Sequence, residues 1–276
     1  MSMQFISIDN RENARLELSR LLSATLLLIW ICRLWQGIGL SQLMQPVFSD
    51  TKADRFYWLL DSMGVLNALI NFMPLSVTID AFLLLLPILM LSYPSNKYFS
   101  WLNFVSIVCY FSAYNVTASH QEHTLIGALG AAFLLCFKNS LRFSSVFSAL
   151  RFYACFMMAS AAFWKIGRCS LWQNGQMTNI LKTQHAALIT NSEASLYSSW
   201  INYLIDNPML ANTLWWGAAL IELSFLIGFF SRKFDRVLFL FFWIFLLSDY
   251  LVMGLHFWEL GILSAMFITR YSKVLD

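Results

Sequence analysis

Charge is what this sequence has least of. Asp, Glu, Lys and Arg make up 12% of its 276 residues and hydrophobic residues 59%, where a soluble domain has about a quarter charged and about half apolar. By composition the chain is an integral membrane protein. Its net charge of +3 is small and no basic run interleaves with aromatics, so nucleic acid is not expected as a partner.

Catalytic signatures are missing as well. There is no G-x-S-x-G elbow, no H-E-x-x-H, no P-loop and no dinucleotide fingerprint, which removes the main support for hydrolase, metalloprotease and nucleotide-driven pump readings. Paired spans broken by Gly or Pro in matching halves, the cue for an inverted-repeat transporter, do not occur. Cys32, Cys109, Cys136, Cys155 and Cys169 are widely separated, with no C-x-x-C or Cys/His zinc spacing. Only Cys169 lies in a polar stretch, where a free thiol is expected. The opening MSMQFISIDNRENARLELSR lacks the apolar core and cleavage site of a signal peptide, so the first apolar helix is expected to act as an uncleaved anchor.

What the chain does have is apolar runs. Eight approach the roughly 20 residues that cross a bilayer: 18–40, 76–93, 98–116, 123–137, 147–166, 211–230, 237–251 and 253–269. The fourth, seventh and eighth are short. With the N-terminus inside, the inner connections hold Arg11, Arg15, Arg20, Lys97, Lys138, Arg142, Arg151, Arg232, Lys233, Arg236, Arg270 and Lys273, while the outer ones hold Lys52, Arg55, Arg168 and Lys182. Positive residues gather on the cytoplasmic side. The expectation is therefore an all-α bundle of eight spans over 18–270, with segment 1–17 and tail 271–276 in the cytoplasm. Two long outer connections, 41–75 and 167–210, contain FYWLL, ALINF and SLYSSWINYLI and are expected to form short surface helices.

Ionisable residues in or at the edge of spans are Arg33, Asp80, His123, Lys165, Glu222, Asp249, His256 and Glu259. A charge at the centre of a span costs at least about 2.5 kcal/mol, so each calls for a partner or a role. In the expected topology those whose depth can be read lie at the outer face or middle of the membrane, which suggests a polar cavity open to the outside. The competing explanation is structural pairing, for instance of Glu222 with Arg33. Asp80 and Asp249, near helix ends, fit the structural explanation better; Glu222 fits both. His120 and His123, in SHQEHTL, share a helix face, yet no third ligand is near and no metal is expected.

The order of SHQEHTLIGALGAAFLLCF, FMMASAAFWKIGRCSLWQNG, WWGAALIELSFLIGFFSRKFDR and GLHFWELGILS resembles the horizontally transferred transmembrane (HTTM) domain of the vitamin K-dependent gamma-carboxylase-like family, over about 18–269. The resemblance implies an outward-facing histidine at His123, followed by Leu125 and Ile126, and a lysine base at Lys165. Ala162 stands where the family usually has Gly, and WQNG falls about two residues later than in the animal enzymes. Glu222 in LIELS matches an acidic position and His256 a histidine before an apolar helix; both are assigned to cofactor binding.

In that family a reduced naphthoquinone is deprotonated in a membrane cavity and attacked by oxygen, giving a base that removes a glutamate γ proton before CO2 adds. A lysine that acts as the first base must be neutral, a form that apolar surroundings favour, and His123 would hydrogen-bond a developing oxyanion. The animal enzymes' extensive lumenal domain for substrate recognition is not part of these 276 residues, so peptide carboxylation is not implied. The compact form also resembles the bacterial sporulation-delaying-protein B type, required for maturing a secreted peptide toxin. The expectation is thus an enzyme in the bacterial inner membrane with its active face outside, using a reduced quinone. Its partners would be the bilayer and a secreted peptide or a neighbouring membrane protein. The alternatives are a non-enzymatic partner in maturation, export or immunity, and a small-solute or quinone transporter.

Overall fold

A computed structural model describes residues 8–43, 55–117, 122–190 and 195–268. Among them every regular element is helical. Five segments are long and apolar enough to cross a bilayer: Asn10–Gln42, Met73–Ser92, Ser140–Gly167, Pro208–Phe230 and Asp235–Met253. The chain is therefore an integral membrane protein. The other three expected spans look different. Lys97–Thr117 is a 21-residue helix that buries Ser100, Asn103, Ser106 and Ser112. Glu122–Leu135 has 14 residues, and Trp258–Phe267 is ten residues of 3-10 helix. The chain divides into two compact units, Met1–Ser148 with Arg270–Asp276, and Ala149–Thr269.

The first unit contains α1 (Ile8–Trp35), α2 (Arg55–Ser62), α3 (Val65–Asn71), α4 (Met73–Ser92), α5 (Lys97–Thr117) and α6 (Glu122–Leu135). Helix α1 packs on α4, α4 on α5, α5 on α6 and α6 on α1. Leu18, Leu22 and Leu26 form a buried stripe on α1, facing a core that includes Leu83, Leu86 and Met90 of α4. Lipid is as apolar as Leu, so helices gain little by hiding Leu from it and associate by close packing instead. The GALGAAF stretch of α6 supplies that packing, with Ala128, Ala131 and Ala132 fully buried. Leu28 and Ile31 of α1 and Leu85 and Ile88 of α4 point outward, an apolar exterior suited to lipid.

Two charges in this unit hold backbone and aromatic groups. The buried Asp80 carboxylate accepts from Leu40 N and Ser41 N, both at 2.8 Å, and from Ser41 Oγ at 2.6 Å, tying the 3-10 turn Leu40–Gln42 to α4. Arg33 donates from Nε to Tyr110 Oη at 3.1 Å and lies 4.3 Å from the Tyr114 ring centroid.

The second unit takes the C-terminal part of α7 (Ser140–Gly167), then α8 (Gln176–Gln184), α9 (Ala186–Thr190), α10 (Leu196–Asp206), α11 (Pro208–Ser224), α12 (Leu226–Phe230) and α13 (Asp235–Ser248). A π-helical turn at Asp249–Met253 and the 3-10 helix at Trp258–Phe267 follow. Cys155 and Met158 of α7 pack with Phe225, Leu238, Phe242, Leu263 and Phe267. A Cβ at Gly228 would collide with the Cys155 sulfur, so glycine is what lets α12 approach α7. A second cluster joins Met177 and Leu181 to Ile201, Leu204, Ala211 and Val252, seating α8 and α10 on α11. SLYSSWINYLI thus folds as a helix, with Ser195 and Ser198 exchanging cap hydrogen bonds at 3.0 Å.

Arg151, counted by sequence among the inner connections, is instead an interior residue of α7 and 1% exposed. Its Nη2 lies 2.5 Å from Asp235 Oδ1, its Nε is 3.2 Å from both carboxylate oxygens, and Nη1 and Nη2 donate to the carbonyls of Gly228 and Ser231 at 2.8 and 3.2 Å. The planar guanidinium satisfies a carboxylate and two carbonyls at the end of α12 at once.

Candidate functional site

Lys165 occupies the last turn of α7. The helix closes directly behind it: Cys169 takes φ +56°, and the Ser170 N–H and hydroxyl both donate to the Lys165 carbonyl, at 3.1 and 3.0 Å. Helix α11 begins at Pro208, whose fixed φ suits a first turn, and carries Trp215 and Glu222. Seven residues is about two turns, so those two share a face. Lys165 Nζ donates to Glu222 Oε1 at 2.7 Å and lies 4.4 Å from the Trp215 ring centroid. The Lys165 side chain is 15% exposed and that of Glu222 2%. Glu222 Oε2 is buried with no hydrogen-bond partner among the described residues, and so is the Trp215 indole N–H.

Lys165 borders a cavity of about 280 Å³. Its polar lining is Lys165, Thr213, Ser248 and Asp249; most of the rest, including Leu214, Trp215, Ile221, Phe245, Val252 and Met253, is apolar. Asp249 is within electrostatic reach of both Lys165 and Glu222. Few polar groups on an otherwise apolar wall is the usual makeup of a small-molecule pocket.

The cavity's floor depends on an irregular backbone. Asp249 opens the π-helical turn that ends α13, and Gly254 closes it at φ +65°. Wide turns of this kind leave carbonyls without a helical donor. Trp200 Nε1 donates to the Leu251 carbonyl at 3.1 Å, and His185 Nε2 to that of Val252 at 3.0 Å. A carbonyl only accepts, so His185 carries its proton on Nε2. The His185 ring also meets Tyr197 edge-on at 5.7 Å. Burial holds the Tyr197 phenol above its ordinary value, and its hydroxyl has no partner among the described residues. Helices α8 to α10 thereby brace the turn that presents Asp249.

Of the residues singled out by sequence, the structure brings together Lys165 and Glu222, with Asp249 on the same cavity. Glu222 pairs with Lys165 where Arg33 was the example considered, and Arg33 is held by Tyr110 and Tyr114. His256 is exposed and lines a different cavity of about 290 Å³, together with Trp243, Tyr250 and Trp258; its ring meets Tyr250 at 5.2 Å. His123 sits in the first turn of α6, in the other unit, and its side chain lies outside the described residues, as does His120 altogether. Sequence reasoning passed over His185 and Trp215. The two-turn spacing of Trp215 from Glu222 was a readable signal; nothing around KTQHAAL marks His185. No family model, curated protein or solved structure matches the chain.

Proposed function

We propose that the chain is a polytopic membrane enzyme of the vitamin K-dependent gamma-carboxylase-like kind, modifying a secreted peptide or using a quinol at an outward-facing cavity, with Lys165 as base. One observation carries it: a lysine amine at the wall of an apolar cavity, bonded at 2.7 Å to a buried carboxylate. The accompanying topology is eight spans with both termini in the cytoplasm, so that the cavity opens to the periplasm of a bacterial inner membrane.

The residues divide the work as follows. Lys165 and Glu222 exchange a proton along their hydrogen bond, as ammonium with carboxylate or as amine with carboxylic acid. In the second form the amine takes the proton of an acidic hydroxyl placed against it. The new ammonium is stabilised by Asp249 and the Trp215 face, and the oxyanion left behind lies beside that positive charge. A bound quinol would supply the redox chemistry with oxygen. The chain binds the ring, keeps water out with its apolar wall and moves that one proton.

The test uses purified protein in detergent with a reduced naphthoquinone. Protein-dependent oxidation of the quinol is expected, falling at least about a hundredfold in Lys165→Arg, because arginine stays charged and cannot act as base. The melting temperature should hold. Undiminished oxidation by Lys165→Arg would sink the proposal, whereas turnover without compartments counts against a transporter. Orientation has its own test: a membrane-impermeant thiol reagent applied from outside should label Cys169, which is exposed, but not Ser231→Cys. The reverse pattern would overturn the outward-facing cavity.

One observation favours a second reading. The Lys165–Glu222 bond joins α7 to α11, and such a strut serves equally in a non-enzymatic partner for maturation, export or immunity of a secreted peptide. That protein would keep its function in Lys165→Arg.

A further inference from the structure

Away from the Lys165 cavity, the turn between α4 and α5 gathers more positive than negative charge. Arg15 of α1, 1% exposed, places Nη2 3.5 Å from Ser95 Oγ. Lys138, just beyond α6, donates to the Pro94 carbonyl at 2.8 Å and to Ser100 Oγ at 2.7 Å. Among the described residues the one carboxylate bonded to either cation is that of Glu12, on Arg15. Arg15 Nη1 is buried without a partner. Burial first, then the nearby Arg15 charge, brings Lys138 down to about 8. Two neighbouring cations, of which one is bonded to a carboxylate, leave a positive charge uncompensated, a costly state away from water.

The same turn opens to the surface. Tyr93, Pro94, Ser95, Asn96, Lys97 and Tyr98 line a shallow cavity of about 490 Å³, and Lys97 adds a third cation. Asn96 Oδ1 already takes the amides of Tyr98 and Phe99, at 2.9 and 3.4 Å, while the Ser95 hydroxyl and the Lys97 ammonium are side-chain donors on the cavity wall. Tyr93 and Tyr98 stand exposed on either side, the position tyrosine favours at the headgroup level of a bilayer.

We infer that the α4–α5 turn binds a phosphate group, with Ser95 and Lys97 touching it and Arg15 and Lys138 forming the cationic floor beneath. A phosphate, with several acceptor oxygens, suits a hydroxyl and an ammonium close to buried cations better than a monovalent ion does, and its charge balances the excess. The flanking tyrosines favour the phosphodiester of an anionic lipid over a soluble phosphate compound.

The experiment titrates protein purified in neutral detergent with phosphatidylglycerol, with phosphatidylcholine and with inorganic phosphate, following heat unfolding and retained lipid by native mass spectrometry. Phosphatidylglycerol should be retained and raise the melting temperature, while phosphatidylcholine should not. Lys97 is exposed, so Lys97→Gln should melt like the parent without lipid yet bind phosphatidylglycerol about tenfold more weakly, the effect of one charge-assisted contact. Lys138→Gln should weaken it further. Inorganic phosphate that binds as tightly as the lipid, with the same loss in both variants, supports the phosphate site and assigns it to a soluble ligand. Equal stabilisation by the two lipids, or unchanged phosphatidylglycerol binding in the Lys97→Gln, Lys138→Gln double variant, overturns it.

Discussion

Arg151 and Lys165 lie fourteen residues apart on α7, about four turns and hence on one face, and each pairs with a buried carboxylate. The Arg151 pair is complete. Its guanidinium meets both oxygens of Asp235 and two backbone carbonyls, and the two side chains are 1% and 0% exposed. The Lys165 pair is incomplete: one bond to Glu222, a second carboxylate oxygen without a partner, and a cavity alongside. A saturated network fixes helices but has no group to spare. An unsatisfied one retains donors and acceptors for a ligand or a proton, so the Arg151 pair has a structural part while the Lys165 pair, at the end of α7, has groups to spare.

Breaking the saturated pair should cost most. Arg151→Met leaves Asp235 buried and uncompensated and is expected to lose about 3–5 kcal/mol, seen as a sharp fall in melting temperature or in recovered folded protein. A variant that melts normally would erase the distinction. Glu222→Gln keeps a neutral hydrogen-bond partner for Lys165, so the expected loss is near 2 kcal/mol, that of a charge-assisted bond, together with loss of quinol oxidation. If Glu222→Gln proved more damaging to folding than Arg151→Met, the parts given to the two pairs would be exchanged.

Gly254→Ala probes the brace under the cavity. It sets a Cβ at a positive φ and 2.9 Å from the Tyr197 hydroxyl, at an expected cost of about 1–2 kcal/mol. Helices α8 to α10 should become more accessible to hydrogen exchange while α7 around Arg151 stays protected. Lys138 offers the smallest effect. Its ordinary value of 10.5 falls to about 8 in the folded chain, so between those pH values the unfolded state binds more protons. Stability should rise with pH across that window and level off above it. Thermal melts of the parent and Lys138→Met from pH 7 to 11 check this, since the variant should lack the rise.

The membrane class was readable from composition, and most helices from the lengths of apolar runs. Lys165 and Glu222 stood out as ionisable groups in spans, where each needs a reason to exist. Their partnership did not, and Arg33 was an equally reasonable mate for Glu222. Arg151 was misread as a charge of a cytoplasmic connection, because a lone arginine near the start of an apolar run looks the same whether it faces water or a buried aspartate. His185 carried no local signal, since what it serves is a carbonyl freed by a π-helical turn 67 residues away.

By itself, the sequence determined that apolar helices form and that the chain suits a bilayer, with eight spans expected where five helices have the length and apolarity to cross, because hydrophobic length and backbone satisfaction in lipid are local properties of a chain. It also determined which ionisable groups would be expensive. Only the tertiary structure decided which of them meet. Lys165 and Glu222 are 57 residues apart, and Arg151 and Asp235 are 84 apart, so their pairing depends on how helices pack side by side. Apolar periodicity is blind to that where both the core and the surrounding lipid are apolar.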